Sequence, residues 1–293
     1  MLYKKKAPLL LFLLPGLLLM TVFLYYPFLQ NLYNSLFNMT QPLLLPGQKQ
    51  KFLGLDNYKR ILTDPSIRIA LKNSLLMMVL TVVFQVGLGL FFAILVNNIK
   101  RGQKVFRTIY FLPVVISASA LGLMFKLLYN YDNGMLNQLL RSMGKPPVKW
   151  LSESLAFLMI SIPILWSYVG FYFVIIYTGI CDISEDIYEA AAIDGCTKTK
   201  SVFYITVPLL RGVICTCVTL AVTGALKVFD LPWIIVEKGA PNGTTHFLGT
   251  YMYQTAFGSQ NWDYSAAIAL LIVVLGVIVS KVVGRLIRPD ENL

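Results

Sequence analysis

Charge is scarce in this chain. Of its 293 residues only 13% are charged, against 57% hydrophobic, and the mean hydropathy is +0.68. A soluble domain carries about 25% charged residues. The shortage excludes an ordinary water-soluble fold and points to an integral membrane protein. Histidine is rarer still: His246 is the single one, which argues against a histidine-based catalytic or zinc site. Of the four cysteines, Cys215 and Cys217 stand two apart in an apolar run, about 200° around a helix, so they cannot share a metal ion. With Cys181 and Cys196 they read as small buried thiols. The sequence contains no G-x-x-x-x-G-K-[ST] phosphate loop and no nucleophile elbow. The chain therefore cannot supply nucleotide energy by that route, and no catalytic residue and no metal ligand is assigned.

What the chain does have is long apolar runs. Six are long enough to cross a hydrocarbon core of about 30 Å, which takes roughly 20 helical residues. They cover approximately 8–36, 72–97, 107–129, 155–179, 209–232 and 264–286. A cleaved signal peptide is the competing reading of the first. That run continues past the length of such a segment, and no small-x-small cleavage site precedes Tyr25-Tyr26-Pro27. Pro15 and Pro27 are expected to bend this helix rather than end it. The net charge of +11 would suggest nucleic acid in a soluble protein. Here the basic residues gather at the ends of apolar runs, with no basic face interleaved with aromatics, so nucleic acid is not a partner.

Six spans place both termini on one side. Basic residues divide almost evenly between the two sides, so density decides. Lys4–Lys6, the loop with Lys100, Arg101, Lys104 and Arg107, the polar segment after the fourth span, and the tail with Lys281, Arg285 and Arg288 are short and lie close to span ends. The positive-inside rule then puts both termini in the cytoplasm. Longer loops of about 37–71, 130–154 and 233–263 face outward. The first offers Asp56 as an N-cap, the second a short amphipathic helix ending at Gly144, the third the turn cluster GAPNGTT. Within the spans, Ala118 and Gly122 form a small-xxx-small pair suited to close helix approach. Pro163 and Gly170 interrupt the fourth span, where freed backbone groups need protein or water partners.

One polar segment stands apart: YEAAAIDGCTKTKSVFYITVP, Tyr188 to Pro208. Ser184 is placed to cap a helix whose first turn holds Glu185 and Asp186. Gly195 is placed to stop it in a left-handed turn, and Pro208 suits the first turn of the fifth span. The result is a helix–turn–helix knob at the cytoplasmic membrane surface. Its alanine face lets another protein approach the backbone closely, and Glu189 offers a carboxylate to a cation there. From the residues alone, an interfacial amphipathic loop is an equal alternative.

The spacing reads E-A-A, three residues, G, nine residues, I-x-V-P. It resembles the EAA loop of binding-protein-dependent ABC importer permeases, E-A-A-x3-G-x9-I-x-L-P, at Glu189, Ala190, Ala191, Gly195, Ile205 and Pro208, with Val207 in place of leucine. LFLLPGLLL at Leu11–Leu19, FLGLDNYKRIL at Phe52–Leu62, FRTIYFLP at Phe106–Pro113 and KVFD at Lys227–Asp230 resemble the carbohydrate-uptake branch, on the MalF-like side. EKGAP at Glu237–Pro241 departs from the T-x-G-G-P of that branch, and Pro232 follows Asp230 closely.

The resemblance implies an all-α integral membrane protein: a single permease domain over 1–293 with six transmembrane helices and a cytoplasmic coupling loop at 180–208. It implies a permease subunit of an ATP-driven importer for sugars or oligosaccharides in the bacterial cell membrane. A second, MalG-like permease, two ABC ATPase subunits carrying ATP and Mg, and an extracytoplasmic solute-binding protein are the implied partners. This chain is then no enzyme and holds no cofactor. Glu189, Ala190, Ala191, Asp194, Gly195, Ile205 and Pro208 would couple to the ATPase. For the substrate path, Lys227 and Asp230 are ionisable residues inside a span, three apart on one helical face and able to pair. Tyr172 lies one turn from Tyr168. By resemblance, Gly170 and Tyr172 fall at the fourth-span segment that contacts sugar in the maltose permease, and Lys227–Asp230 near its fifth-span counterpart. Trp166 and Trp233 read as packing or interface anchors. A structural ion pair is the alternative for Lys227 and Asp230. For the whole chain the alternatives are a glycerol-phosphate or polyol ABC permease and an ion-coupled secondary transporter. The latter would show internal repeats and intramembrane acids.

Overall fold

The computed structural model describes residues 6–39, 51–99 and 101–287. Lys4, Lys5, Lys100 and Arg288, four of the basic residues used above to orient the chain, lie outside them. The described residues are helical apart from turns and loops, and among them no strand forms beyond an isolated antiparallel bridge between Phe37 and Phe52. Five helices are long and apolar enough to cross a membrane: α1 (Leu11–Leu36), α3 (Pro65–Asn97), α7 (Ala156–Cys181), the run Arg211–Ile235, and α13 (Trp262–Ile287). A pair bent by more than 40°, α4 (Gln103–Val115) and α5 (Ala118–Leu128), is apolar enough to count as a sixth when its two pieces are taken as one span. Shorter helices are α2 (Asp56–Thr63), α6 (Met135–Ser142), α8 (Glu185–Ile193), α9 (Lys198–Ser201) and α12 (Leu248–Tyr253).

The helices are less continuous than the apolar runs. The third run turns by 86° between α4 and α5, where Ile116 and Ser117 are extended. The fifth run comprises α10 (Arg211–Leu226) and α11 (Asp230–Ile235), separated at Lys227–Phe229, with Phe229 at φ −142°. α1 widens to a π turn at Thr21–Tyr25, just ahead of Pro27. Pro27 has no N–H to give the fourth preceding carbonyl, and its ring crowds that group. Asp56 occupies the first turn of α2 rather than the cap, with its carboxylate 3.1 Å from Lys59. Two of the four thiols are not buried: Cys181, the last residue of α7, is exposed, and Cys196, in the turn after α8, is half-buried.

The chain divides into two compact units. The first comprises Met1–Asp64 and Met252–Leu271. Its hub is Asp263, buried at the start of α13, which accepts a hydrogen bond from Asn57 Nδ2 at 3.0 Å. The same amide donates to the Ser35 carbonyl. Tyr264 donates to the Asp64 carboxylate at 2.7 Å, and the Arg60 guanidinium lies 4.0 Å above the Tyr264 ring. These bonds tie α2 to the end of α1 and the first turns of α13. A buried carboxylate is tolerated because donors surround it.

The second unit, Pro65–Tyr251 with Ile272–Leu293, is built around α7. Phe173 and Ile176 of α7 are fully buried. α3 approaches closely at Gly89, where a Cβ would lie 3.0 Å from the Phe173 nitrogen. α4 approaches at Gly170, where a Cβ would overlap the Tyr110 carbonyl. Small residues allow such approach between membrane helices, where packing replaces the hydrophobic effect. The segment after α11 docks back on α3. Asn73 donates to the Thr244 and His246 carbonyls at 2.8 and 2.9 Å, and Ser74 accepts from the Leu248 amide. His246 is buried there, and burial holds its pKa below the ordinary histidine value.

Candidate transport cavity and coupling element

Within the second unit, α3, α5, α7, α10 and α11 enclose a cavity of about 360 Å³. α7 supplies Tyr168, Phe171 and Tyr172 from near the middle of its length, while α11 supplies Leu231 and Pro232 close to the end of the run Arg211–Ile235. α3 supplies Thr81 and Gln85 from a π turn at Thr81–Val86, a geometry that swings side chains off the regular helical face. The break after α10 supplies Lys227, and the first residue of α11 supplies Asp230.

Three of the four residues assigned from sequence to the substrate path thus line one cavity: Tyr172, Lys227 and Asp230. Gly170 is not part of that lining; its missing side chain admits the Tyr110 backbone instead. Lys227 and Asp230 do not share a helical face, because the chain leaves the helix between them, and no ion pair joins them among the described residues. Both side chains are exposed. The ring of Tyr172 is buried, edge-on to Phe171 with centroids 5.2 Å apart.

Sequence reasoning missed Thr81 and Gln85. Both are buried polar residues four apart in an otherwise apolar run. That spacing puts them on one helical face and was a readable signal. Gln85 spends its amide on the Ile164 carbonyl of α7 at 2.8 Å, which leaves its oxygen as the free half of the group.

The polar segment forms a compact element. Ser184 caps α8, its hydroxyl accepting from the Asp186 amide at 3.3 Å. Gly195 adopts φ +76°, and the Cys196 amide closes on the Ala191 carbonyl at 2.9 Å. A left-handed residue after the last turn satisfies carbonyls that the helix leaves free. α9 follows, capped by Thr197, and runs through a π turn at Val202–Thr206 into a short turn at Pro208. Tyr188 and Thr206 share a hydrogen bond at 3.0 Å, which locks the two arms together.

α8 buries none of its residues. Glu189, Ala190, Asp194, Gly195 and Pro208 are exposed; Ala191 and Ile205 are half-buried. Beside them stand large exposed apolar residues that the sequence did not single out: Ile193 at 87%, Phe203 at 67% and Tyr204 at 77%.

Several helices long and apolar enough to cross a membrane, a largely apolar cavity carrying a few polar groups, and a capped polar element between two of the spans define a multi-pass membrane protein. Residues 85–291 match the family described as the binding-protein-dependent transport system inner membrane component, and the chain belongs to that family. It is 33% identical over 287 residues to the probable ABC transporter permease protein YurN of Bacillus subtilis, covering 96% of each chain. It is 32% identical to the lactose transport system permease protein LacF of Rhizobium radiobacter, covering 92% of this chain and 90% of that one. The same fold occurs in the crystal structure of a bacterial ABC transporter involved in importing the acidic polysaccharide alginate. There the TM-score is 0.84 at 20% identity, over 99% of this chain and 98% of the other.

Proposed function

We propose that this chain is a permease subunit of an ATP-driven importer for sugars or oligosaccharides, and that Glu189–Pro208 receives the driving force. Support for a carbohydrate substrate comes from relatives such as the lactose permease and from the cavity's chemistry, in which tyrosine rings stand beside amide, hydroxyl and charged groups. Sugars need both stacking faces and hydrogen-bond partners.

The observation that carries the reading is α8. It is a capped, internally bonded helix that buries nothing of its own, yet it is covalently joined to α7 and α10, two walls of the cavity. Such a handle moves helices only if a partner grips it. In this reading Ala190 and Ala191 let a groove of an ABC ATPase approach the helix, and Glu189 pairs with a cation in it. Asp194 and Gly195 shape the turn, while Ile205 and Pro208 carry the motion into α10. ATP and Mg bind on two such ATPase subunits. A second permease subunit completes the pathway, and an extracytoplasmic binding protein delivers the sugar. Both termini and α8 are cytoplasmic. Tyr172, Lys227 and Asp230 contact the passing substrate, and Gly170 keeps α7 seated against α4.

Glu189→Lys and Gly195→Asp are expected to abolish sugar uptake and to release the ATPase during co-purification, with this chain still at its normal level in the membrane. Wild-type uptake by both variants would falsify the coupling role.

A further inference from the structure

α6 is built the wrong way round for a helix in water. Its fully buried side chain is a polar one, Asn137. The Asn137 amide donates to the Tyr131 and Val148 carbonyls, both at 3.0 Å. Its oxygen accepts from the Val148 amide at 2.9 Å and from Trp150 Nε1 at 3.0 Å. All four hydrogen-bonding positions of the side chain are thereby met inside the protein. The apolar residues face out instead. Met135, Leu139 and Met143, spaced by four, form one stripe and are 63%, 59% and 62% exposed. Asn137 lies two residues from Leu139, on the opposite side of the helix. An amphipathic helix in water turns such a stripe to the core. Here the stripe cannot roll inward without breaking the Asn137 bonds.

The place of α6 narrows what can cover the stripe. The Tyr129 hydroxyl donates to the Met159 carbonyl at 3.0 Å, which sets the end of α5 beside the first turn of α7. Only the turn at 130–134 separates α6 from that point. α6 also touches α5, whose Leu123 and Leu127 are likewise exposed. The stripe therefore stands at the ends of apolar, membrane-crossing helices. Its flank is basic: between Tyr129 and Ser152 the chain carries Arg141, Lys145 and Lys149 against one acid, Asp132. Neither lysine meets a carboxylate among the described residues.

We propose that α6 lies in the lipid–water boundary and is a docking surface for anionic phospholipid. Met135, Leu139 and Met143 enter the acyl region, and Lys145 and Lys149 meet headgroup phosphates. An apolar stripe flanked by lysines is the composition of helices that lie in a membrane surface, and anionic headgroups attract such lysines. Held so, α6 steadies the joined ends of α5 and α7, two walls of the Tyr172 cavity. The surface needs neither substrate nor ATPase, so its occupancy is measured apart from transport.

The test uses the full-length chain in nanodiscs. Cys181→Ser and Cys196→Ser remove the accessible thiols, and a bimane label is placed at Leu139→Cys or, independently, at Met143→Cys. Both positions are exposed, so neither label disturbs the core. Phosphatidylcholine with brominated acyl chains is expected to quench either label. Acrylamide in the water should lose the quenching that it exerts on the same label at Gln138→Cys. Brominated phosphatidylglycerol should reach half-maximal quenching at about fivefold lower mole fraction than the phosphatidylcholine. Lys145→Glu together with Lys149→Glu should erase that preference. Labels as open to acrylamide as the one at Gln138→Cys, or equal quenching by the two lipids, would overturn the assignment. Shielding from acrylamide without quenching by either brominated lipid would mean that a protein covers the stripe, and would overturn it too.

Discussion

Pro163 costs the fourth span one hydrogen bond, and a residue from another helix end repairs the loss. Proline has no N–H, so the carbonyl four residues earlier, on Met159, loses its helical donor. The Tyr129 hydroxyl takes that place at 3.0 Å, in a buried setting. Tyr129→Phe should therefore cost about 1–2 kcal/mol in unfolding free energy. In a Pro163→Ala background the helix supplies its own donor to Met159, and the same change should cost only a few tenths. Equal costs in both backgrounds, measured by denaturant unfolding in micelles, would show that the bond does not repair the break. Pro163 was legible in the sequence and so was the need for a partner. Which residue met that need was not, because the two lie on separate elements. Gly170 is the opposite case. It read as a substrate-path residue, yet in the fold it is the place where α4 touches α7.

At the scale of elements, two apolar runs that read as single spans are each interrupted. α5 and α11, the pieces beyond the interruptions, pack on each other. Their contact depends on Gly122, where a Cβ would lie 2.8 Å from Ile234 Cβ. The small-xxx-small pair identified this face in advance. The partner lay hidden, since α11 read as the tail of a continuous fifth span. Gly122→Val should lower stability by about 1–3 kcal/mol through overpacking. Ile234→Ala in the same chain should restore most of it, read as recovery of melting temperature. No recovery would mean that the two helices do not meet at this point. Lys126 of α5 and Glu237, in the turn just after α11, form an exposed ion pair at 2.7 Å. The Lys126 hydrogen bond and charge hold the Glu237 carboxyl below its usual pKa. Exposed as both groups are, the pair supplies orientation more than stability.

For the whole molecule, the orientation argued from basic residues has a direct readout. A fluorescent-protein fusion after Leu293 is expected to be bright, because that reporter folds on the cytoplasmic side. An alkaline-phosphatase fusion at Asn242 is expected to be active, because that enzyme needs the outer side. The reverse pattern would place α8 outside the cell, beyond the reach of any ATPase. Composition and run length by themselves determined a multi-pass helical membrane protein, the resemblance at Glu189–Pro208 pointed to its family, and the capping residues marked a polar helical element between the fourth and fifth spans. They could do so because membrane insertion and helix capping depend on residues adjacent in the chain. Only the tertiary structure decided where the spans break, that Tyr172 and Lys227 share a cavity with Thr81 and Gln85 while Gly170 does not, and that α6 turns Met135, Leu139 and Met143 outward. Each of these depends on which helices come within contact of one another, and hydropathy carries no record of a helix's neighbours.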